Sequence, residues 1–183
     1  NVSAQQLSDP DFLRGFQDQM DRHALSGPQI ELEVTERALV ADLDSARSLL
    51  QHLRVLGVRV AIDDFGTGYS NLAVLHRLPL SRLKIDRSFI ADLEGVRSAQ
   101  EICRAVCAMA SSLELKVVAE GVETAPQLEL VQSLGCDAGQ GYAFAHPMPL
   151  DALKIWLRAR RASKPRRARA KSARASARPP KSP

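Results

Sequence analysis

The sequence has no apolar run that approaches the roughly 18 residues needed to span a bilayer. Its start, NVSAQQLSDP, contains neither the basic segment nor the apolar segment of a secretory signal. Cysteine is scarce, and Cys103, Cys107 and Cys136 form neither an even set nor a metal-type cluster. These absences argue against a disulfide-stapled secreted domain and predict a cytoplasmic location, with Cys103 and Cys107 as small core residues of one helix.

Acidic residues are absent from residues 158–183, which contain 11 of the 25 Lys and Arg residues. Residues 1–157 carry a net charge of −7, from 14 basic and 21 acidic residues. We therefore predict an acidic globular domain over 1–157, followed by a basic low-complexity tail over 158–183. Because the tail offers almost no apolar area to bury, we expect it to be disordered. Its charge alone could bind nucleic acid or an anionic surface without specificity.

Strand and helix patterns alternate along the domain. Short β-type runs occur at QIELEVT, VRVAID, SRLKID, LKVVAE and GQGYAF. Helical patterns lie between and around them: one after Pro10, others over 42–56 and 97–113, one between Thr124 and Gly135, and a last one over 150–157. This alternation predicts a parallel α/β sheet, either open or closed as a barrel.

Charged residues occupy one face of the predicted strands. Because side chains alternate along a strand, Glu33, Asp63, Lys84 and Glu120 point away from the face that the apolar residues present to the helices. In an open sheet covered on both faces, that second face would be apolar as well. In a barrel it is the interior, and active sites lie at its C-terminal mouth. The pattern, with Asp64 beside Asp63, therefore favours a barrel.

Four carboxylates at one mouth repel each other unless cations neutralise them. Carboxylate oxygens suit hard divalent ions, and two such ions beside a lysine suit phosphoester cleavage. Lys84 could then orient the attacking water or balance charge. Two alternatives stay open at this point: a set of structural ion pairs between these acids and Lys84 or nearby arginines, and a phosphoacceptor receiver domain, although a receiver explains neither Glu33 nor Glu120.

Six sequence blocks, in order, resemble the signatures of EAL-domain cyclic di-GMP phosphodiesterases. They are NVSAQQL, ELEVTE, AIDDFGTGYSNL, LKIDRSFI, VVAEGVET and GQGYAFAHPMP, and the resemblance covers residues 1 to about 157. It implies a TIM-like (β/α)8 barrel with one antiparallel strand. It also implies hydrolysis of cyclic di-GMP to linear pGpG with two Mg²⁺ or Mn²⁺ ions, and inhibition by Ca²⁺.

The resemblance also implies roles for individual residues. The metal ligands would be Asn1, Glu33, Asp63, Asp64 and Glu120. Lys84 would hold the catalytic water, and Glu120 would also act in catalysis. Support for the substrate and for the loop after the aspartates would come from Glu36, Gly66, Gly68, Glu123 and Gln140. The strand-face pattern selects five of these residues by itself, whereas Asn1 and Gln140 depend on the resemblance.

The E-A-L signature is absent from the 183 residues, and the sequence begins with Asn instead of Met. We therefore expect an N-terminally truncated barrel that is inactive alone and belongs to a longer protein, which could be membrane-anchored. An upstream diguanylate cyclase or sensory domain and a homodimer are further expectations. The alternative function is a non-catalytic cyclic di-GMP sensor, in which the glycine-bearing loop after Asp64 reports occupancy.

Overall fold

The computed structural model describes residues 1–66 and 72–163. Its strands are β1 (Glu31–Thr35), β2 (Arg59–Phe65), β3 (Arg82–Ile85), β4 (Lys116–Ala119) and β5 (Ala138–Gly139). Its α-helices are α1 (Ala4–Leu7), α2 (Phe12–Arg22), α3 (Glu36–Ala41), α4 (Leu43–Val55), α5 (Leu72–Arg77), α6 (Arg87–Ala91), α7 (Arg97–Ser112), α8 (Ala125–Ser133) and α9 (Leu150–Ser163), with a 3-10 turn at Gly27–Gln29.

The five strands form one parallel sheet in the order β1-β2-β3-β4-β5. Spatial order therefore equals chain order, as it does around a barrel, whereas a doubly wound open sheet reverses direction at a switch point. An isolated parallel bridge between Val2 and Val34 continues the pairing beyond β1. The antiparallel strand that the family resemblance implies does not occur within 1–66 and 72–163.

The core lies between the outer face of the sheet and the helices, as the strand pattern predicts. Val34, Ile62, Leu83 and Val117, one from each of the first four strands, are almost completely buried. Leucines of α4 and alanine and cysteine residues of α7 complete this layer. Burial of this apolar face holds the strand ends in a common row, and thereby fixes where the charged side chains of the opposite face emerge.

The helix boundaries follow local signals. Helix α8 starts with a capping box, in which Thr124 and Gln127 satisfy each other's backbone amides, and Pro126 stands in the first turn. Helix α4 ends before Gly57, whose φ of +78° is left-handed. The short helices α1, α3, α5 and α6 were not predicted, since segments of four to six residues show too little periodicity.

The fifth strand is shorter than its sequence pattern predicts. The run GQGYAF is a strand only at Gly139, because the backbone leaves the sheet after Gln140. Gly141 has φ +152°, and a Cβ there would lie 2.2 Å from the carbonyl oxygen of Val122. Alternating apolar residues in 139–144 therefore accompany a turn, and the prediction of a strand over that run is wrong.

The chain divides into two compact units, residues 1–145 and 146–183. In the second unit, α9 extends to Ser163, so residues 158–163 are helical although the tail was predicted to begin at 158. Arg and Ala are strong helix formers, and the Arg160 guanidinium lies 4.8 Å from the centre of the Trp156 ring. The remainder of the predicted tail, 164–183, lies outside the described residues. No helix in 1–66 and 72–163 is long and apolar enough to cross a membrane.

Candidate active site at the strand ends

A buried lysine stands at the centre of the predicted acidic cluster. The Nζ atom of Lys84 lies 2.7 Å from a Glu33 oxygen and 2.8 Å from oxygens of Asp63 and Glu120. The Lys84 side chain is only 6% exposed. One ammonium thus bridges carboxylates from the ends of three different strands, and the structure confirms that these four side chains converge.

The parallel register explains this convergence. Glu33 pairs with the residue two positions before Asp63, and Lys84 pairs with the residue two positions before Glu120. The four charged residues therefore lie at most one alternation step from their neighbours on adjacent strands, near the C-terminal ends of those strands. All four alternate with buried apolar neighbours, which places them on the inner face of the sheet. The C-terminal strand ends therefore deliver one charged group each to a common point.

Asp64 joins the cluster through an irregularity in β2. In a regular strand Asp63 and Asp64 would point to opposite faces. Asp64 instead has a left-handed φ of +53°, and β2 uses three steps, from Ile62 to Phe65, where β3 uses two. As a result, carboxylate oxygens of Asp63, Asp64 and Glu120 all lie within 4.8 Å of one another. The extra residue turns two consecutive acids toward one site.

A second layer of charged residues lies on the same inner face, one alternation step below the Lys84 cluster, and its charges can be compared with those of the cluster. Glu31, two residues before Glu33, has a partner in Arg82 at 2.7 Å and another in Arg59 at 3.5 Å. The acid of that layer is therefore matched by cations. At the mouth, in contrast, the carboxylates of Glu33, Asp63 and Glu120 share the one ammonium of Lys84, and the Asp64 carboxylate lies beside them. Structural ion pairing accounts for the lower layer. In the upper layer, the three carboxylates that contact Lys84 outnumber its single positive charge.

The pKa values follow this imbalance. Burial raises the pKa of Asp64, and the charges of Asp63 and Asp86 add to the effect. Burial also raises the pKa of Glu120; the contact with Lys84 opposes the shift, while Asp63 and Glu33 favour it. Burial alone would lower the pKa of Lys84, but its contacts with Asp63, Glu120 and Glu33 outweigh that and raise it. Lys84 therefore stays charged, and the net charge of Lys84 and its three carboxylate partners is negative.

The donor set fits hard divalent cations. It consists of carboxylate oxygens, and the Oδ1 atom of Asp63 is buried without a hydrogen bond from the described residues, although Lys84 Nζ is 2.8 Å away. An added cation would offset the negative charge that Lys84 leaves on these carboxylates.

The remaining predicted residues surround this point. Val2 donates its N–H to the Glu33 carbonyl at 2.8 Å, which places Asn1 next to the end of β1. The N–H of Gln140 donates to the Ala119 carbonyl at 2.8 Å, which places Gln140 beside the end of β4. Glu36 begins α3 directly after β1.

Two further predicted residues lie on the rim. Gly66 follows β2 with φ +99°, and Glu123 is exposed just before α8, where its N–H donates to Gln127. Gly68 lies outside the described residues.

A cavity of about 590 Å³ opens beside the aspartates. Its lining includes Asp63, Asp64 and Glu36, which were predicted, together with Ser3, Thr35 and Arg37, which were not. Arg37 carries the only positive charge of that lining within the described residues. Strand periodicity does not mark Ser3 and Arg37, because they belong to a helix cap and to a short helix. Thr35 ends β1 on the same face as Glu33 and also caps α3. The cavity is large enough for part of a nucleotide-sized ligand.

Fold and site together define a class: a parallel α/β barrel with a cluster of acidic residues at its mouth. The family model described as "EAL domain" matches residues 1–147. The chain is 48% identical over 161 residues to "Cyclic di-GMP phosphodiesterase NbdA" of Pseudomonas aeruginosa, a match that covers 88% of the chain and 21% of NbdA. The chain belongs to the EAL domain family. It spans about a fifth of the length of this relative.

Solved structures agree with this assignment and confirm the TIM-like barrel class. The "PaMucR Phosphodiesterase, c-di-GMP complex" matches with a TM-score of 0.80 and 42% identity, covering 84% of this chain and 62% of that one. Calcium and manganese complexes of Klebsiella pneumoniae BlrP1 with cyclic di-GMP match with a TM-score of 0.72 and 35% identity, covering 78% of this chain and 36% of those. These likenesses rule out the receiver-domain alternative.

Proposed function

We propose that this chain provides the catalytic face of a cyclic di-GMP phosphodiesterase that hydrolyses its substrate to linear pGpG. The observation that carries this proposal is the Lys84 cluster, in which carboxylates from three strand ends surround one buried ammonium and Asp64 adds a further acid. Membership of the EAL family supports the substrate, because relatives carry that activity in their names.

The residues divide into two groups by role. Glu33, Asp63, Asp64 and Glu120, with Asn1 beside β1, would hold two Mg²⁺ or Mn²⁺ ions. When bound, these ions would supply an activated water and stabilise charge on the attacking and leaving oxygens. We expect Ca²⁺ to occupy the same ligands without supporting turnover. Glu36, Gly66, Glu123 and Gln140 would shape the rim around the substrate.

Lys84 and Glu120 would handle the water and its proton. In the described structure the three N–H groups of Lys84 face Glu33, Asp63 and Glu120. With metal ions bound to these carboxylates, one N–H would be free to donate to the oxygen of a water among them. Glu120, whose pKa burial raises, is suited to accept the proton that the water releases as it adds to phosphorus. One phosphoester bond then breaks, and the freed sugar hydroxyl takes up a proton. Removing the lysine should lower kcat by about a hundred-fold or more.

The test uses the release of pGpG from cyclic di-GMP in the presence of Mg²⁺ or Mn²⁺. Since no E-A-L motif occurs in the 183 residues, we expect the chain alone to show little turnover. A chimera that joins the E-A-L segment of NbdA in front of Asn1 should hydrolyse cyclic di-GMP, and the same chimera with Lys84→Ala should not. A chimera with a native circular dichroism spectrum and no pGpG release would refute the phosphodiesterase assignment.

A cyclic di-GMP sensor is the second candidate, because the same carboxylate group could bind the ligand with its metal ions without turnover. Titration calorimetry separates the two functions. If the protein is a sensor, the 183-residue chain should bind cyclic di-GMP in the presence of Ca²⁺ or Mg²⁺. The NbdA chimera should then bind cyclic di-GMP without hydrolysing it.

A further inference from the structure

Two thiols from different elements meet on the helix side of the sheet, away from the charged mouth. Cys107 lies in α7, and Cys136 lies in the connection between α8 and β5. Their Sγ atoms are 3.5 Å apart. The third cysteine, Cys103, stands one turn earlier on α7 and is completely buried. The sequence-based prediction of core residues is confirmed for both Cys103 and Cys107, and Cys107 has in addition a thiol neighbour 29 residues along the chain.

The backbone between α8 and β5 brings the two thiols together. Gly135 ends α8 with a left-handed φ of +97°, and a Cβ at that position would be 3.9 Å from the Cβ of Cys107. Cys136 then donates its N–H to the Val131 carbonyl at 3.0 Å, which fixes its backbone against the end of α8. The hydrogen bond of Cys136 and the backbone conformation of Gly135 therefore bring the segment between α8 and β5 close to α7. This backbone arrangement places the two thiols next to each other.

The two thiols interact through their proton, and a cavity lies beside Cys107. The S–H of Cys136 stabilises a thiolate on Cys107, which lowers the pKa of Cys107 and raises that of Cys136. Burial raises the pKa of Cys103 to about 11. A cavity of about 370 Å³ is lined by Cys107, Gly135 and Asp137 among others. A small oxidant can therefore reach the one of these sulfurs that ionises most readily.

We propose that Cys107 and Cys136 form a reversible disulfide when a peroxide enters this cavity. The Cys107 thiolate attacks one peroxide oxygen; the O–O bond breaks, water leaves after protonation, and a sulfenic acid remains on Cys107. The Cys136 sulfur then attacks that sulfur, the S–O bond breaks and a second water leaves. Two thiols and one peroxide give one disulfide and two waters, so two electrons pass from sulfur to oxygen. A thiol such as dithiothreitol reverses the modification.

A disulfide suits this pair better than a metal ion. The sulfurs need to approach from 3.5 Å to about 2.0 Å, which side-chain rotation and small backbone shifts can supply. A thiolate metal site would need four ligands. Within 1–66 and 72–163, the acidic group of Asp63, Asp64 and Glu120 is the cluster with metal-ligand spacing, and no cysteine belongs to it.

Peptide mapping of the folded 183-residue chain tests the pairing directly. Trypsin places Cys103, Cys107 and Cys136 on three different peptides, residues 98–104, 105–116 and 117–154. The chain is treated with hydrogen peroxide, its free thiols are alkylated, and the digest is analysed by mass spectrometry. We expect a 105–116 peptide linked to 117–154, a several-fold loss of both free peptides, and an unchanged 98–104 peptide. Dithiothreitol should restore the free peptides.

Two controls make the result decisive, and neither depends on phosphodiesterase activity. The same oxidation in concentrated urea should give mixed pairings that include Cys103, while Cys103→Ser should leave the native pairing unchanged. A native chain that gives the urea mixture would overturn the assignment. So would thiols of Cys107 and Cys136 that stay free, or linked peptides found only in covalent dimers. In Cys136→Ser, dimedone should label Cys107, because its sulfenic acid has lost the resolving thiol.

Discussion

Lys84 owes its position to the acids around it. An ammonium that is 6% exposed loses most of its hydration, a cost of several kcal/mol that contacts with Glu33, Asp63 and Glu120 offset. Lysine suits this place better than arginine, because a compact ammonium can direct three donors to three separate strand ends. Lys84 therefore holds the acidic strand ends together and places an ammonium group at the centre of the site.

Substitution of Gly66, at the rim of the site, should destabilise the fold. The φ of Gly66 is +99°, and a Cβ would lie 2.8 Å from a ring carbon of Phe89. We expect Gly66→Ala to lower the free energy of unfolding by about 1–3 kcal/mol, since it combines backbone strain with a clash. Urea denaturation followed by circular dichroism measures this difference.

Gly95→Ala is the matched control, because a Cβ at Gly95 would meet nothing within 4 Å. It should leave the unfolding midpoint nearly unchanged. Equal losses in both variants would contradict the role assigned to the backbone at Gly66.

The alternation of apolar and charged residues predicts which face of the sheet most of the charged strand residues occupy, but it does not predict the position of Asp64. Asp63, Lys84 and Glu120 alternate with apolar residues, so the strand pattern alone is enough to infer their common face. Asp64 cannot be placed in the same way, because strict alternation sends it to the opposite face. Its position depends on a left-handed dihedral angle and a shift in strand register, neither of which leaves a mark in a hydrophobicity pattern.

At the scale of elements, Asp137 ties the short β5 to β4. Its carboxylate accepts from Lys116 Nζ and from the Val117 N–H, both at 2.8 Å, while its own N–H donates to the Val117 carbonyl at 3.0 Å. A strand of two residues has few ladder bonds of its own. This side chain therefore takes over part of the pairing that a longer strand would provide.

The Asp137 contacts predict a pH dependence of stability. The bonds from Lys116 and Val117 lower the pKa of Asp137, so the folded state binds this proton less readily than the unfolded state. The stabilisation is present above the unfolded value of about 4 and is lost as the pH falls through the folded pKa. We expect Asp137→Asn to cost about 0.5–1 kcal/mol at pH 7, a modest value because the ion pair is largely exposed.

Urea denaturation at pH 7 and at about pH 3 measures this difference. The gap between wild type and Asp137→Asn should narrow at the lower pH, where Asp137 is protonated to a greater extent. A gap that stays constant would show that the carboxylate charge contributes nothing.

Element boundaries were predictable where caps or long periodic segments mark them. Helix α8 has its capping box at Thr124 and Gln127, and α4 and α7 each show several turns of apolar spacing. The limit of β5 was not predictable, because Tyr142 and Phe144 continue an alternating pattern that the backbone abandons at Gly141. In that stretch a close approach to Val122 overrides the strand propensity of the sequence.

At the scale of the whole molecule, the surplus of negative charge at the mouth predicts stabilisation by divalent ions. An ion that binds only the folded state adds about 2.7 kcal/mol at a concentration a hundred times its Kd. With Mn²⁺ or Mg²⁺ in that excess, we expect the Tm of the chain to rise by about 5–10 °C. Thermal unfolding with and without a chelator measures the change.

Asp63→Asn should abolish the rise in Tm, because Asp63 belongs to the acidic group at the mouth. Asp44→Asn, which changes an exposed acid in the first turn of α4, should retain it. A rise that is the same in both variants would mean that the ions act elsewhere on this acidic domain.

The irregularity in β2 makes the length of that strand a property of the site in its own right. Three residues of β2 span the distance that two residues of β3 cover. Deletion of either aspartate would let β2 and β3 pair in a regular ladder. The same deletion would remove one of the two adjacent acids from the site. Substitutions and deletions at this position should therefore differ in their effect. Exchange of Asp63 or Asp64 for another acid can keep the site, whereas a change in the number of residues in β2 cannot.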